Sequence, residues 1–339
     1  MKRSILKPTH RNWLILALII LVAIVILALR WEQTVFWLSR YGIVLRQATV
    51  TGLLIGGVYG LVAMGLTLIF GVLGIINFAH GSLMTVGMYL TFVLFTRYGV
   101  DPYLSVLITV PVLFGIGLVV QRFIIHPARN APEHNQLLLT LGLALFIQNF
   151  LLVLFTATPR SIRLAYGRGE TPIGPFMIDF PLRIWGTTIT LPKLAAFVFA
   201  LALAGGLYLL LQRTDLGKAI RAVAQDRDGA ALVGIDTQRI NMITFGLGTA
   251  CVGAAAALVL PFFFVDPLAG DTFNITAFVT VVLGGMGSIP GAMLGGLIIG
   301  LTQELGVVLA PSSIKLLGVF IVFILVLLFR PQGLLGVKS

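Results

Sequence analysis

Apolar runs long enough to cross a lipid bilayer recur from one end of this 339-residue sequence to the other. They fall near residues 13–29, 43–70, 82–96, 103–121, 137–155, 193–211, 241–264, 275–286, 291–309 and 314–329. A helix of roughly 20 apolar residues spans the ~30 Å hydrocarbon layer, and inside lipid a helix satisfies its own backbone hydrogen bonds. The expected fold class is therefore all-α, a polytopic membrane helix bundle of about 9–10 transmembrane helices, some of them broken. The count depends on whether the two segments flanking Ser288 and Pro290 each cross or form one broken helix. Only 10% of the residues are charged, where a soluble domain carries about 25%. The run WLILALIILVAIVILAL behind MKRSILKPTHRN exceeds the usual core of a signal peptide, and no small-x-small cleavage pattern precedes Arg30, so it reads as a first span.

The net charge of +11 is spread as single basic residues between apolar runs rather than as a patch with interleaved aromatics, which argues against nucleic acid as a partner and for orientation in a bilayer. With ten crossings, Lys2, Arg3, Lys7, Arg11, Arg122, Arg129, the loop from Arg213 to Arg239, Arg330 and Lys338 share one side. The positive-inside tendency makes that side, with both termini, the cytoplasm. A smaller set, Arg30, Arg40, Arg46, Arg160, Arg163, Arg168 and Arg183, falls outside. Cys251 sits in an apolar run, which excludes an intrachain disulfide and speaks against a cysteine-based metal site; it reads as packing.

The sequence reads as a single transmembrane domain over 1–339, with two longer loops. The outer one, 156–192, is rich in Pro, Gly and Arg and alternates in polarity, which predicts β-hairpin character. The inner one, 213–239, holds helix formers punctuated by Gly229 and Gly234 and charges of both signs, which predicts a short helix at the membrane surface. An inverted repeat would divide ten spans into two fives. Its trace is LIFGVLGIINFAHGSL after span two and PFFFVDPLAGDTFNITAF after span seven, each a helix end followed by turn residues and a polar cluster.

Gly52, Gly56 and Gly60 are spaced four apart, as are Gly291 and Gly295. Small residues at that spacing let helix backbones approach closely in lipid. LGGMGSIPG lacks the Lys-Ser/Thr ending of a phosphate loop and lies between apolar segments, so a helix break is expected there, with Ser288 at the surface or in a cavity. No Walker A sequence occurs.

In GIINFAHGSL the glycines free the backbone to leave helical geometry around Asn77, His80 and Ser82. Polar groups and half-helix ends at membrane depth suit a polar or zwitterionic solute; a turn at the cytoplasmic surface fits the spacing as well. No nucleophile, base or metal-ligand spacing accompanies His80, which argues against an enzyme.

Four stretches carry a family resemblance: GLTLIFGVLGIINFAHGSLMTVGMYL, LGKAIRAVAQDRDGAALVGID, FVTVVLGGMGSIPGAMLGGLIIG and RPQGLLG. In order, from about Val50 to Gly336, they resemble the permease subunits of branched-chain amino acid ABC importers, of the first of two homologous permease types. The resemblance implies an inner-membrane subunit that pairs with a second homologous permease, two cytoplasmic ATP-binding subunits and a solute-binding protein. ATP would be bound by the partners, and the chain itself would carry no cofactor. It also implies that a short helix within Gly217–Gly234 docks on the ATPase through Lys218, Arg221, Gln225, Asp226 and Arg227. From the residues alone that stretch is a solvated charged loop. Ser82 stands where the family commonly has an acid, and relatives carry urea, amides and aromatic acids as well as amino acids.

Alternating access along a path touched by Asn77, His80, Ser82 and Ser288 is thus the expected activity. An ATPase-independent secondary transporter would place ionisable groups inside its spans, and such groups are nearly absent, Asp266 and Glu304 lying near predicted ends.

Overall fold

The computed structural model describes residues 31–129, 131–162, 164, 182–184, 187–309 and 315–336. The run near 13–29 and the middle of the outer loop lie outside them. The first described element, α1 (Trp31–Leu73), is far longer than the apolar run inside it. It closes at Gly74, in the left-handed region at φ 70°, whose N–H bonds the Phe70 carbonyl.

α2 (His80–Tyr98) closes the same way at Gly99. α3 (Pro102–Val120) opens on Pro102, with the Asp101 carboxylate accepting the Tyr103 N–H at 2.8 Å, and runs on through a π turn, Gln121–Ile125, and a 3-10 turn, His126–Ala128. α4 (Glu133–Phe155) and α5 (Leu191–Arg213) flank the outer loop. The expected hairpin is present as β1 (Leu182–Ile184) and β2 (Thr187–Ile189), antiparallel with Leu182 opposite Ile189. Gln47 of α1 clamps β2, its carboxamide oxygen accepting the Thr188 N–H at 2.6 Å and its nitrogen donating to the Thr188 carbonyl at 2.8 Å.

The inner loop forms two helices rather than one, α6 (Asp215–Gln225) and α7 (Arg227–Leu232). α8 (Thr237–Val259) continues into a 3-10 turn, Leu260–Phe262, and is followed by α9 (Ala269–Gly284), α10 (Ile289–Leu309) and α11 (Lys315–Phe329). Among the described residues six helices are long and apolar enough to cross a membrane, and α9 and α11 are shorter apolar helices. LGGMGSIPG is the expected break: Gly285 and Gly287 take φ values of 103° and 86°. The chain reverses there. Gly291 lies against Gly284, a β-carbon on Gly295 would stand 2.7 Å from the Thr280 oxygen, and Gln303 donates to Thr276 at 3.3 Å. α9 and α10 are two antiparallel legs, not one broken helix.

α1 and α8 form the centre: 83% and 89% of their most apolar windows are buried, against 22% for α4 and α5. They run antiparallel and cross where Gly65 and Gly248 face each other's carbonyls. The helix pairs around them are exchanged by one operation. α1 packs on α10 as α8 packs on α3, α2 on α8 as α9 on α1, and α2 on α4 as α9 on α11. α2 meets its counterpart α9 at Gly81 and Gly270, each glycine on the other's carbonyl. This is the arrangement of an inverted repeat, α1–α4 against α8–α11.

The α1–α10 seam shows why glycine is needed. A β-carbon on Gly52 would lie 2.8 Å from the Gly300 oxygen, and one on Gly56 would lie 2.8 Å from the Leu297 α-carbon. Gly60 faces Met293 in the same row.

Candidate translocation site and coupling surface

Beyond Gly74 the chain turns back alongside α1 instead of leaving the bundle. The Thr140 hydroxyl holds this return, accepting the Phe78 N–H at 3.2 Å, with its single proton between the Leu137 carbonyl at 3.0 Å and the Ile76 carbonyl at 3.3 Å. Asn77 makes the turn: its side-chain oxygen accepts the Ala79 N–H at 3.1 Å, and its carbonyl accepts the His80 N–H. α2 therefore starts deep inside. His80 Nε2 lies 3.0 Å from the Val62 carbonyl, eleven residues short of the end of α1, about 16 Å back along that helix.

Asn77, His80 and Ser82 are all buried at this start of α2. A carbonyl only accepts, so His80 Nε2 carries a proton and donates it to Val62. Nδ1, Asn77 Nδ2, Ser82 Oγ and the Thr67 hydroxyl on α1 have no hydrogen-bond partner among the described residues. Buried polar groups are nearly always bonded, so the three such atoms at the start of α2 mark a place that another arrangement of the helices, or water, completes. In this conformation three of the four sequence-derived path residues are thus brought together and sealed inside protein.

Ser288 is not with them. It sits in the α9–α10 turn, where its hydroxyl accepts the Gly291 N–H at 3.2 Å. It lines a cavity of about 320 Å³ shared with Thr67, Gly71, Tyr208, Gln212 and Arg221. Arg221 of the inner helices shares that cavity with Ser288, and none of Asn77, His80 and Ser82 lines it.

The inner helices are built by caps. Thr214 accepts the Gly217 N–H at 3.1 Å to open α6, and Asp226 accepts the Asp228 and Gly229 N–H groups at 3.0 and 2.9 Å to open α7. Asp226 is the reason the segment breaks in two. α6 buries Gly217, Ile220 and Val223 and leaves Lys218, Arg221 and Gln225 exposed. The Arg221 guanidinium donates to the Leu211 carbonyl, tying α6 to the end of α5. Lys218 pairs with Asp215 at 2.9 Å, and its hydrogen bond and charge hold the Asp215 carboxyl below its usual value. Two of the expected contact residues, Asp226 and Arg221, therefore also hold the segment's shape. Sequence reasoning missed Leu232 and Val233, which close α7 at 89% and 76% exposure outside every span. Two adjacent apolar residues in a polar loop were the signal for them.

At the far end of α8 the return segment before α9 repeats the same turn. Asp266 accepts the Leu268 N–H at 2.8 Å, and its carbonyl accepts the Ala269 N–H, as Asn77 does. Among the described residues no group of His, Cys, Asp or Glu could hold a metal ion.

Two re-entering turns that start helices inside a pseudo-symmetric membrane bundle, with a capped surface helix pair between its halves, define a transport subunit of the permease class. Residues 48–329 match the family described as branched-chain amino acid transport system / permease component, and the chain belongs to that family. The chain is 33% identical to the high-affinity branched-chain amino acid transport system permease protein BraD of Pseudomonas aeruginosa, over 86% of this chain and 95% of the relative. It is 31% identical to LivH of Escherichia coli K12, a permease protein of a system of the same description, with the same coverage. A second permease protein of that organism, LivM, is 26% identical over 93% of this chain and 74% of the relative. No solved structure matches the chain.

Proposed function

We propose that this chain is one of two homologous permeases in an ATP-driven importer of branched-chain or other hydrophobic amino acids. LivH and LivM, both similar to this chain, are permease proteins from one organism, which supports a pair of unlike permeases. Two cytoplasmic ATP-binding subunits would drive it and a solute-binding protein would load it. The membrane is the inner membrane, with α6 and α7 on the cytoplasmic side. The chain needs no cofactor, because nucleotide is bound by its partners.

The observation that carries this reading is the α6–α7 pair between two halves that cross at α1 and α8. A force applied to α6 reaches α5 through the Arg221 bond to the Leu211 carbonyl, and α1 and α8 through direct packing. Closure of the ATPases would thereby tilt one half against the other and open the sealed crossing at Asn77, His80 and Ser82. Their partnerless polar atoms would then meet water or solute, and weak contacts suffice where a binding protein supplies selectivity. Affinity purification in mild detergent tests the assembly: a P-loop ATPase and a second hydrophobic subunit are expected with this chain. A chain that purifies alone and takes up solute after ATP depletion would overturn it.

A further inference from the structure

The end of the bundle remote from α6–α7 holds a cavity of about 480 Å³ between α4 and the segment joining α8 to α9. That is within the range, roughly 300–1,000 Å³, of pockets that hold small molecules. Its apolar wall is Leu152, Phe263, Phe264 and Leu268, and its polar wall includes Gln148, Asn149, Asp266 and Thr272. Beside it the Gln148 amide donates to Asp271 at 2.6 Å. Neither Asp266 nor Asp271 forms an ion pair among the described residues.

A cation stands next to them. Arg160 and Val265 exchange backbone hydrogen bonds of 2.9 and 2.8 Å, which sets Arg160 beside the residue preceding Asp266. Its guanidinium lies 5.6 and 5.7 Å from the centres of the Phe92 and Phe155 rings and donates to the Phe155 carbonyl. The buried Tyr89 hydroxyl is in the field of both Arg160 and Asp266 and has no hydrogen-bond partner among the described residues.

Depth decides what this face can be. Asp271 follows Gly270, which crosses Gly81, and six residues on in α2 Gly87 packs on Gly253 and Ala256 of α8. Asp271 is therefore near the middle of the bundle's height and is exposed. An ionisable group at such depth faces protein or a water-filled cavity, not hydrocarbon.

We infer that this cavity is an entry subsite for a zwitterionic amino acid with an apolar side chain, with Asp266 and Asp271 toward its ammonium, Arg160 toward its carboxylate, and Phe263 and Phe264 against its side chain. The assignment rests on the importer reading above and goes beyond it by naming where cargo is held. The cavity wall itself supplies a carboxylate, Asp266, and an apolar surface, and Asp271 and Arg160 stand beside it; carboxylate, cation and apolar wall are the three features that distinguish a free amino acid from an amine, a fatty acid or a sugar.

The test uses the whole importer in proteoliposomes, following labelled leucine uptake together with ATP hydrolysis stimulated by the loaded solute-binding protein. Asp266→Asn and Asp271→Asn should each cut uptake at least tenfold while hydrolysis stays within twofold of the unmodified importer. Wild-type uptake in both variants would overturn the subsite and leave the importer reading standing. Absence of leucine uptake by the unmodified importer would instead remove that reading and the subsite with it. Should the variants assemble poorly, Asn149→Cys gives a second readout, since the native Cys251 is buried. An impermeant thiol reagent added outside should label Asn149→Cys, and leucine with its binding protein should slow labelling at least threefold. No labelling from outside, or labelling indifferent to leucine, would overturn the subsite.

Discussion

Asp226 shows how one residue can hold both shape and function. Its carboxylate caps α7 with two hydrogen bonds, and loss of such a cap costs about 1 kcal/mol. Asp226→Ala is expected to fray α7 and to uncouple uptake from ATP hydrolysis while the rest of the bundle folds. Asp226→Asn keeps an oxygen for the two N–H groups and should restore most of the uptake per ATP; equal losses in both variants would assign the effect to charge rather than to the cap. Lys218 is the contrast. Its pair with Asp215 is exposed and contributes little to stability. The Asp215 pKa is lowered by the pair, so the pair is intact at neutral pH and is lost only as pH falls through that lowered value. Lys218→Ala should leave the melting temperature at pH 7 within about 1 °C, so any fall in ATPase recovery would report contact with the partner.

At the scale of elements, the glycine seam between α1 and α10 leaves no room for side chains. Gly56→Leu would drive a side chain into the α10 backbone, and overpacking of this kind costs about 1–3 kcal/mol or more. The expected result is loss of monodisperse protein in detergent, whereas Gly42→Leu, with nothing within 4 Å of its β-carbon position, should purify normally. The apolar runs made the helices legible in the sequence because length and hydropathy alone decide a span. The two legs about Ser288 were legible only as a break, since direction of travel is set by the Gly284 and Gly291 contact. The division of 213–239 into α6 and α7 was written in the capping residues of QDRDG but was overridden by its helix formers. Asp271 carried no signal, because one sequence does not give the depth of a residue in the bundle. The repeat was faint for a similar reason: Asn77 and Asp266 make the same turn, and Gly81 and Gly270 the same crossing, with different neighbours.

Over the whole molecule, the surface divides into faces that call for different surroundings. α5 turns Val198, Leu201 and Leu209 outward without a charge among them, as lipid requires. α9 turns out Asp271, Ile275 and Phe278, a stripe at helical spacing whose polar end lies at mid-height. Lipid is an unfavourable neighbour for that end, so the second permease of the proposed importer belongs on the α4–α9 side, where its wall would close the cavity and complete the path. A photoreactive benzophenone side chain at Ile275 should then join this chain to a second hydrophobic subunit, giving a species of about twice the mass on a denaturing gel. The same group at Val198 should capture lipid and leave the mass nearly unchanged. Crosslinks to protein from Val198 and to lipid alone from Ile275 would reverse the assignment of faces and place the permease partner on α5.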